Sequence, residues 1–143
     1  MDGTGAALQG GRWNSPGVAP IYSAANYSAA FLELIVQMGR VSLMPTYHYC
    51  HIDVPDRVII EQSNFNLDDL SSEAATRGCG NRWWKEGRTA ILCVPSAVTR
   101  VDSNYLLNTN HPQFALLEVS DPKPVWVDPR LTAAAQGWKS TAQ

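Results

Sequence analysis

The chain has 143 residues, of which 45% are hydrophobic and 17% charged, and its formal net charge at neutral pH is -2. This length and composition predict one domain with a core of its own rather than two domains. The scattered basic residues argue against direct binding of nucleic acid, and no apolar run reaches the roughly 18 residues that a membrane span requires. The Gly-rich N-terminus lacks the organisation of a secretory signal, so we expect a cytoplasmic protein.

The cysteines are odd in number and show no Cys-x-x-Cys spacing: Cys50, Cys79 and Cys93. We interpret them as reduced thiols, because neither a disulfide framework nor a structural zinc site fits this pattern. Cys93 lies in an apolar run and is predicted to be part of the core. Cys50, His51 and nearby His48 raise the alternative of a bound metal, but alternation along a strand would place Cys50 and His51 on opposite faces. We therefore predict no metal.

The N-terminal part of the chain combines a flexible start with a candidate ligand pocket. Residues 1–11 are rich in Gly and Ala without periodicity, which predicts a flexible lead. The motif Gly10-Gly11-Arg12-Trp13-Asn14 follows, in which glycine backbone allows close approach and the guanidinium of Arg12 can bind phosphate or carboxylate through two parallel hydrogen bonds. Residues 20–23 then predict a short strand, with Tyr22 directed to one face.

The stretch from Ala29 to Met38 is apolar except at Glu33 and Gln37. Positions four apart share one face of a helix, so the pattern predicts a helix that is buried on all sides except for one polar stripe. A buried carboxylate is costly unless a cation such as Arg12 pairs with it or function requires it. The alternative is that Glu33 is solvated on the surface of an ordinary core helix.

The remaining elements are short. Asn26 or Ser28 is expected to cap the helix at its start and Gly39 to end it. Residues 104–108 are predicted to be a loop or short helix, and 132–143 a flexible tail. A weak helix is predicted over 73–84, and strands over 47–54, 58–60, 90–94, 114–119 and 125–127. This order predicts a single α+β domain with a twisted, mainly antiparallel sheet and few helices.

Several motifs taken together resemble the RES domain family over about Gly10 to Leu131. The family takes its name from an arginine, a glutamate and a serine, which correspond here to Arg12, Glu33 and Ser96. The motifs are Gly10-Gly11-Arg12-Trp13-Asn14, Tyr22, Leu32-Glu33, Val94-Pro95-Ser96-Ala97, Asn104-Tyr105-Leu106-Leu107-Asn108 and His111-Pro112.

The resemblance implies an ADP-ribosyltransferase-like fold and the toxin of a type II toxin–antitoxin pair. Such a toxin would degrade NAD+, its substrate rather than a cofactor, by cleaving the nicotinamide–ribose bond through hydrolysis or phosphorolysis, and would arrest growth. The alternatives are transfer of ADP-ribose to a protein, or a weakly active module that mainly binds the antitoxin. The implied partner is an Xre-like antitoxin, which would make any contact with DNA, and a homodimer within the complex is compatible with the family.

The resemblance assigns catalysis to Arg12, Glu33 and Ser96. A carboxylate suits the oxocarbenium-like transition state of this cleavage, so Glu33 is expected to stabilise positive charge. Arg12 would bind the pyrophosphate, and Ser96 would hydrogen-bond the ribose or the nicotinamide amide. A Ser-His triad is not expected, because Ser96 lacks the nucleophile-elbow pattern. The predicted substrate-binding residues are Gly11, Tyr22, Asn108 and His111.

These assignments have structural alternatives. Tyr22 could be an ordinary sheet residue, Ser96 could cap the turn after a strand, and Asn108 and His111 could hold a loop together. For the acceptor, the sequence favours water over phosphate, because phosphorolysis needs a second anion site and the helper cations considered lie outside the motifs. Those cations are Arg40, Arg82, Arg88 and Arg100.

Overall fold

The computed structural model describes residues 2–38 and 47–131. The expected helix end at Gly39 and the expected tail at 132–143 lie outside the described residues. The helices are α1 (Thr4–Gln9), α2 (Tyr27–Met38) and α3 (Glu73–Glu86), with 3₁₀ turns at Asp69–Ser71 and Pro112–Leu116. The strands are β1 (Ile21–Ala24), β2 (His48–Tyr49), β3 (Ile52–Asp53), β4 (Ile60–Gln62), β5 (Ile91–Pro95), β6 (Ser103–Leu107), β7 (Glu118–Val119) and β8 (Lys123–Pro124).

The central sheet has four strands in the order β1-β6-β5-β4. β6 pairs antiparallel with β1 and with β5, so that Leu106 lies opposite both Tyr22 and Leu92. β4 pairs parallel with β5, which makes the sheet mixed. Two antiparallel pairs, β2 with β8 and β3 with β7, lie outside it. The predicted α+β class is confirmed.

The sheet carries a hydrophobic core on each face, as strand alternation requires. Leu92 and Leu106 belong to the core on one face and Ile91 and Leu107 to the core on the other, and all four are nearly inaccessible to solvent. The first core also contains Trp13, Trp83 and Val94. Cys93 is buried, as predicted.

Helix α3 packs closely against the segment before β1. A Cβ atom built on Gly80 would overlap the carbonyl oxygen of Trp13, so only glycine permits this approach. The side chain of Ser72 caps the helix by accepting a hydrogen bond from the Ala75 N–H, and Gly87 ends it with a left-handed conformation. The weak helix predicted over 73–84 is therefore confirmed and continues to Glu86.

The structure corrects several predicted elements in the second half of the chain. Residues 104–108, predicted as a loop or short helix, mostly belong to β6, which is paired on both sides. The strand predicted over 114–119 is largely the turn at Pro112–Leu116, where the His111 side chain accepts a hydrogen bond from the backbone N–H of Gln113. The strand predicted over 47–54 is divided into β2 and β3, and the last described strand ends before 125–127.

Helix α2 forms where predicted, and Asn26 Oδ1 accepts a hydrogen bond from the Ala29 N–H at its start. The prediction that it is buried on all sides is wrong: Leu32 and Val36 are 40% and 57% exposed. The helix packs on β1, and the exposed side chains of Leu32 and Val36 lie one helical turn apart on one of its faces.

The N-terminal lead also differs from expectation, because Thr4–Gln9 forms the helix α1. The buried side chain of Asn14 donates a hydrogen bond to the Ala6 carbonyl at 2.9 Å and so ties this helix to the following segment. No helix among the described residues is long and apolar enough to cross a membrane.

Candidate functional site

Glu33 lies at the centre of a hydrogen-bonded cluster formed by α2, the end of β5 and β6. The hydroxyl of Ser96 donates to Glu33 Oε1 at 2.7 Å, and the side-chain amide of Asn104 donates to the same oxygen at 2.6 Å. The structure therefore brings together the predicted residues Glu33 and Ser96. The second carboxylate oxygen, Oε2, makes no hydrogen bond within residues 2–38 and 47–131.

Ser96 is 1% exposed, and it combines the two roles that the sequence suggests, a site residue and the cap of the turn after a strand. Its Oγ accepts hydrogen bonds from the N–H groups of Val98 and Thr99, at 3.2 and 3.1 Å, and thereby caps the turn after β5. Its single hydroxyl proton is directed at Glu33. The geometry makes Ser96 a residue that positions the carboxylate, rather than one that faces open space.

Arg12 does not pair with Glu33. Its Nη1 donates to the carbonyl oxygen of Leu70 at 2.8 Å, and its own carbonyl accepts a hydrogen bond from Thr76 Oγ1 at 2.7 Å. Within the part of the chain that the structure describes, no cation lies at ion-pair distance from Glu33, and neutral donors hold its carboxylate instead. The Nε and Nη2 groups of Arg12 make no hydrogen bond there and can bind an anion.

Tyr22 lies on the same sheet face as Asn104. Tyr22 pairs with Leu106, and Leu106 is two residues from Asn104 on β6, so the three side chains lie on one face. Its hydroxyl accepts a hydrogen bond from the Trp13 N–H at 3.1 Å and donates one to Asn14 Oδ1 at 2.8 Å. A Cβ atom on Gly11 would lie 2.6 Å from this hydroxyl, which explains the glycine. Tyr22 is 40% exposed, and its ring can stack on a planar ligand.

The phenol of Tyr22 stays protonated at neutral pH. Burial of its hydroxyl raises the pKa to about 12, and the hydrogen bond from Trp13 and the positive charges of Arg77 and Arg12 only partly oppose this effect.

Two residues of this region were missed as site residues by sequence reasoning. Asn104 belongs to a recognised motif, but only its contact with Glu33 reveals its role, and its Oδ1 is buried without a hydrogen-bond partner in the described residues. Arg77 donates from Nε to the Gly11 carbonyl at 2.9 Å. No local motif marks Arg77, because the contact joins residues 66 positions apart.

Asn108 and His111 are not brought to Glu33. Asn108 follows β6 at the end opposite Asn104, and four residues of strand span about 13 Å. Asn108 Oδ1 accepts a hydrogen bond from the Asn110 N–H, and the backbone of Asn108 pairs with Ala90. These contacts support the alternative that both residues hold a loop, which borders a separate depression of 680 Å³.

Among the described residues, no three His, Cys, Asp or Glu side chains are grouped as metal ligands would be. Fold and site together define a small α+β domain that presents a hydrogen-bonded carboxylate on a sheet face shared with a tyrosine, with an arginine beside that tyrosine. The family model described as RES domain matches residues 1–128. The chain belongs to the RES domain family, and the resemblance seen in the sequence is confirmed.

Two relatives and one solved structure show how far the likeness extends. The chain is 32% identical over 142 residues to the Prs ADP-ribosylating toxin of Sphingobium sp. (strain YBL2), covering 94% of this chain and 88% of the relative. It is 33% identical over 113 residues to Toxin Res of Photorhabdus laumondii, covering 74% and 70%. A chain of the M. tuberculosis MbcT–MbcA toxin–antitoxin complex shares the fold, with a TM-score of 0.65 at 21% identity, covering 96% of this chain and 82% of that one.

Proposed function

We propose that this chain is the toxin of a toxin–antitoxin pair and that it consumes NAD+ by breaking the bond between nicotinamide and ribose. The observation that supports this chemistry is the hydrogen bonding of the Glu33 carboxylate. Two neutral donors hold one carboxylate oxygen, and the other oxygen has no partner in the described residues. A fixed negative charge of this kind stabilises the positive charge that develops on the ribose in the transition state.

The neighbouring residues supply orientation and binding. Ser96 and Asn104 fix the carboxylate from the sheet side, so that little reorganisation is needed during the reaction. The exposed ring of Tyr22 offers a surface on which the nicotinamide can stack, while its hydroxyl is anchored in the fold. The free donors of Arg12 bind the pyrophosphate. NAD+ is the substrate in this proposal, and no separate cofactor takes part.

Membership of the RES domain family supports the assignment as a toxin, as do relatives that are named toxins. A toxin–antitoxin complex containing this fold supports an antitoxin partner. We propose that this partner is Xre-like, that it makes the contacts with DNA, and that it keeps the chain inactive in the cytoplasm.

Transfer of ADP-ribose to a protein is the second candidate. The observation that favours it is the name of the Sphingobium relative, an ADP-ribosylating toxin that aligns over 94% of this chain. Both reactions cleave the same bond, so Glu33 would have the same role in each. They differ only in the acceptor that attacks the ribose.

The test is product analysis with the purified chain freed of any partner. NAD+ is incubated in phosphate buffer, in phosphate-free buffer and with an antitoxin-free cell extract, and nicotinamide and ADP-ribosyl products are separated by chromatography and mass spectrometry. ADP-ribose in every buffer indicates hydrolysis, and ADP-ribose 1″-phosphate indicates phosphorolysis. Protein that carries ADP-ribose, together with little free ADP-ribose, indicates transfer. Absence of nicotinamide release under all three conditions contradicts the proposal.

A further inference from the structure

We propose that Arg77 forms a two-guanidinium anion site with Arg12, and that this site binds the diphosphate of NAD+. The identity of the ligand rests on the function proposed above. The site itself rests on the way in which α3 meets the segment before β1. Arg77 is neither one of the residues that give the family its name nor part of any motif in the sequence.

The two arginines are held together by a pair of backbone contacts. Arg77 Nε donates to the carbonyl oxygen of Gly11 at 2.9 Å, and Thr76 Oγ1 donates to the carbonyl oxygen of Arg12 at 2.7 Å. Consecutive residues of α3 therefore contact consecutive residues of the Gly-Arg segment. Both arginine side chains therefore leave the backbone near this contact between α3 and the Gly-Arg segment, and the positive charge of each acts to lower the pKa of the Tyr22 phenol.

Both arginines retain donors that a phosphate can use. The side chain of Arg12 makes one hydrogen bond, from Nη1 to Leu70, within the described residues, and Arg77 uses Nε to hold Gly11. The remaining N–H groups belong to half-buried side chains that a ligand can reach. A planar guanidinium binds phosphate oxygens through two parallel hydrogen bonds, so two such groups match the two phosphates of NAD+.

The simpler interpretation is an ordinary surface ion pair. Arg77 Nη2 lies 3.1 Å from Glu73 Oε2, one helical turn away, with side chains 43% and 56% exposed. Such pairs contribute little to stability, so an anionic ligand can displace Glu73 at small cost. The bond from Nε to Gly11 is independent of Glu73 and keeps the guanidinium in place without it.

The site also bears on the argument about the acceptor. The sequence favours water over phosphate because the candidate helper cations, Arg40, Arg82, Arg88 and Arg100, lie outside the family motifs. Arg77 was not among them, yet the structure places it at Gly11, next to Arg12. If Arg77 helps to bind the diphosphate, Arg12 no longer has to hold both phosphates of NAD+ alone. Since both guanidinium groups are then engaged with NAD+, an attacking phosphate would still need a further cation, and water stays the favoured acceptor.

The test uses the substitution Arg77→Gln in the full chain, with Arg82→Gln as the matched control. The side-chain nitrogen of glutamine occupies the position of arginine Nε, so the hydrogen bond to Gly11 can persist while the charged group is removed. Arg82 is an exposed arginine on the same helix. Calorimetric titration with ADP-ribose should show affinity weakened about tenfold or more by Arg77→Gln, since hydrogen bonds to charged groups have this strength, and unchanged by Arg82→Gln.

Steady-state kinetics provide a second measurement. Loss of a diphosphate contact should raise KM for NAD+ and leave kcat nearly unchanged, because the diphosphate is bound equally in the ground state and the transition state. A lowered kcat with unchanged KM would show instead that Arg77 supports the fold around Gly11, and would overturn the proposal. Equal weakening of ADP-ribose binding by Arg77→Gln and Arg82→Gln would also overturn it, since that result reflects total charge alone.

Glu73→Gln tests the competition directly. Removing the carboxylate frees Arg77 and should tighten ADP-ribose binding, whereas weaker binding would contradict the site.

The outcomes of these experiments also separate this inference from the proposed function. If the wild-type chain releases no nicotinamide but binds ADP-ribose in an Arg77-dependent manner, the proposed reaction fails and the anion site stands.

Discussion

Two polar clusters lie close to the same face of the central sheet, and they differ in how completely they are hydrogen-bonded. Asn14 is fully buried, its Nδ2 donates to the carbonyls of Ala6, Ser15 and Val18, and its Oδ1 accepts from Tyr22. The cluster around Glu33 carries a charge and leaves Glu33 Oε2 and Asn104 Oδ1 without partners in the described residues.

The difference indicates different purposes. A neutral network whose members are all satisfied rigidifies a fold and offers nothing to a ligand. A partly satisfied network that contains a carboxylate is costly to keep, and such sites persist where a substrate completes them. Substitutions in the Asn14 cluster should therefore reduce stability, and substitutions in the Glu33 cluster should reduce activity.

The largest effect on activity is expected from Glu33→Gln. Glutamine keeps the oxygen that accepts from Ser96 and Asn104 but removes the charge, so NAD+ turnover should fall about 100-fold or more while the thermal midpoint is retained. Nicotinamide release measures the first quantity and calorimetry the second. Gln37→Ala, on the same polar stripe of α2, is the control and should leave turnover unchanged. Wild-type turnover in Glu33→Gln would remove Glu33 from the chemistry.

Asn14→Ala should show the opposite pattern. It leaves the carbonyl groups of Ala6 and Val18 and the hydroxyl of Tyr22 without their partner, so the free energy of unfolding should fall by about 1–3 kcal/mol. Urea denaturation measures this change. Asn110→Ala, at an exposed position, should change stability by less than about 0.5 kcal/mol. A stability equal to wild type in Asn14→Ala would show that the cluster is not structural.

Ser96→Ala tests a residue that both donates to the Glu33 carboxylate and caps the turn after β5. Removing its hydroxyl takes one donor from Glu33, and turnover should fall about tenfold, as expected for one hydrogen bond to a charged group. Thr99→Ala is the control, because Thr99 Oγ1 accepts from the Asp102 N–H in the same turn without touching Glu33. If both variants lose the same activity, the effect arises from the turn and not from the carboxylate.

The sequence predicted well those features that depend on local pattern. The apolar run with its capping Asn26 located α2, and the compact run before Ser96 located β5. The ordered motifs identified the family and singled out Glu33 and Ser96, whereas the hydrogen bond between these two side chains is seen only in the structure. Each of these conclusions depends on neighbouring residues or on motif order, which a single sequence contains.

The features that depend on distant partners were missed. Residues 104–108 become a strand because Leu106 pairs with Tyr22 on one side and Leu92 on the other, and an isolated apolar pair between asparagines does not reveal this. Arg77 was missed for the same reason, since its contact with Gly11 exists only in the folded chain. Exposure on α2 was also mispredicted, because apolarity alone does not show which side a partner covers.

The smallest expected effect concerns alkaline pH and the hydroxyl that Tyr22 contributes to the Asn14 cluster. Its pKa rises from 10.0, the ordinary value, to about 12 in the fold. The stabilisation that depends on the protonated phenol is therefore complete below pH 10 and is lost as the pH rises to about 12.

Tyr22→Phe removes this titration, so the free energy of unfolding of the wild type should decline more steeply between pH 10 and about 12 than that of the variant. Other groups, including Tyr105, titrate alike in both proteins, and their contributions cancel in the difference. Equal slopes in urea denaturation at matched pH values would show that the hydroxyl is solvated, and the contrast between a closed Asn14 cluster and an open Glu33 cluster would then not hold.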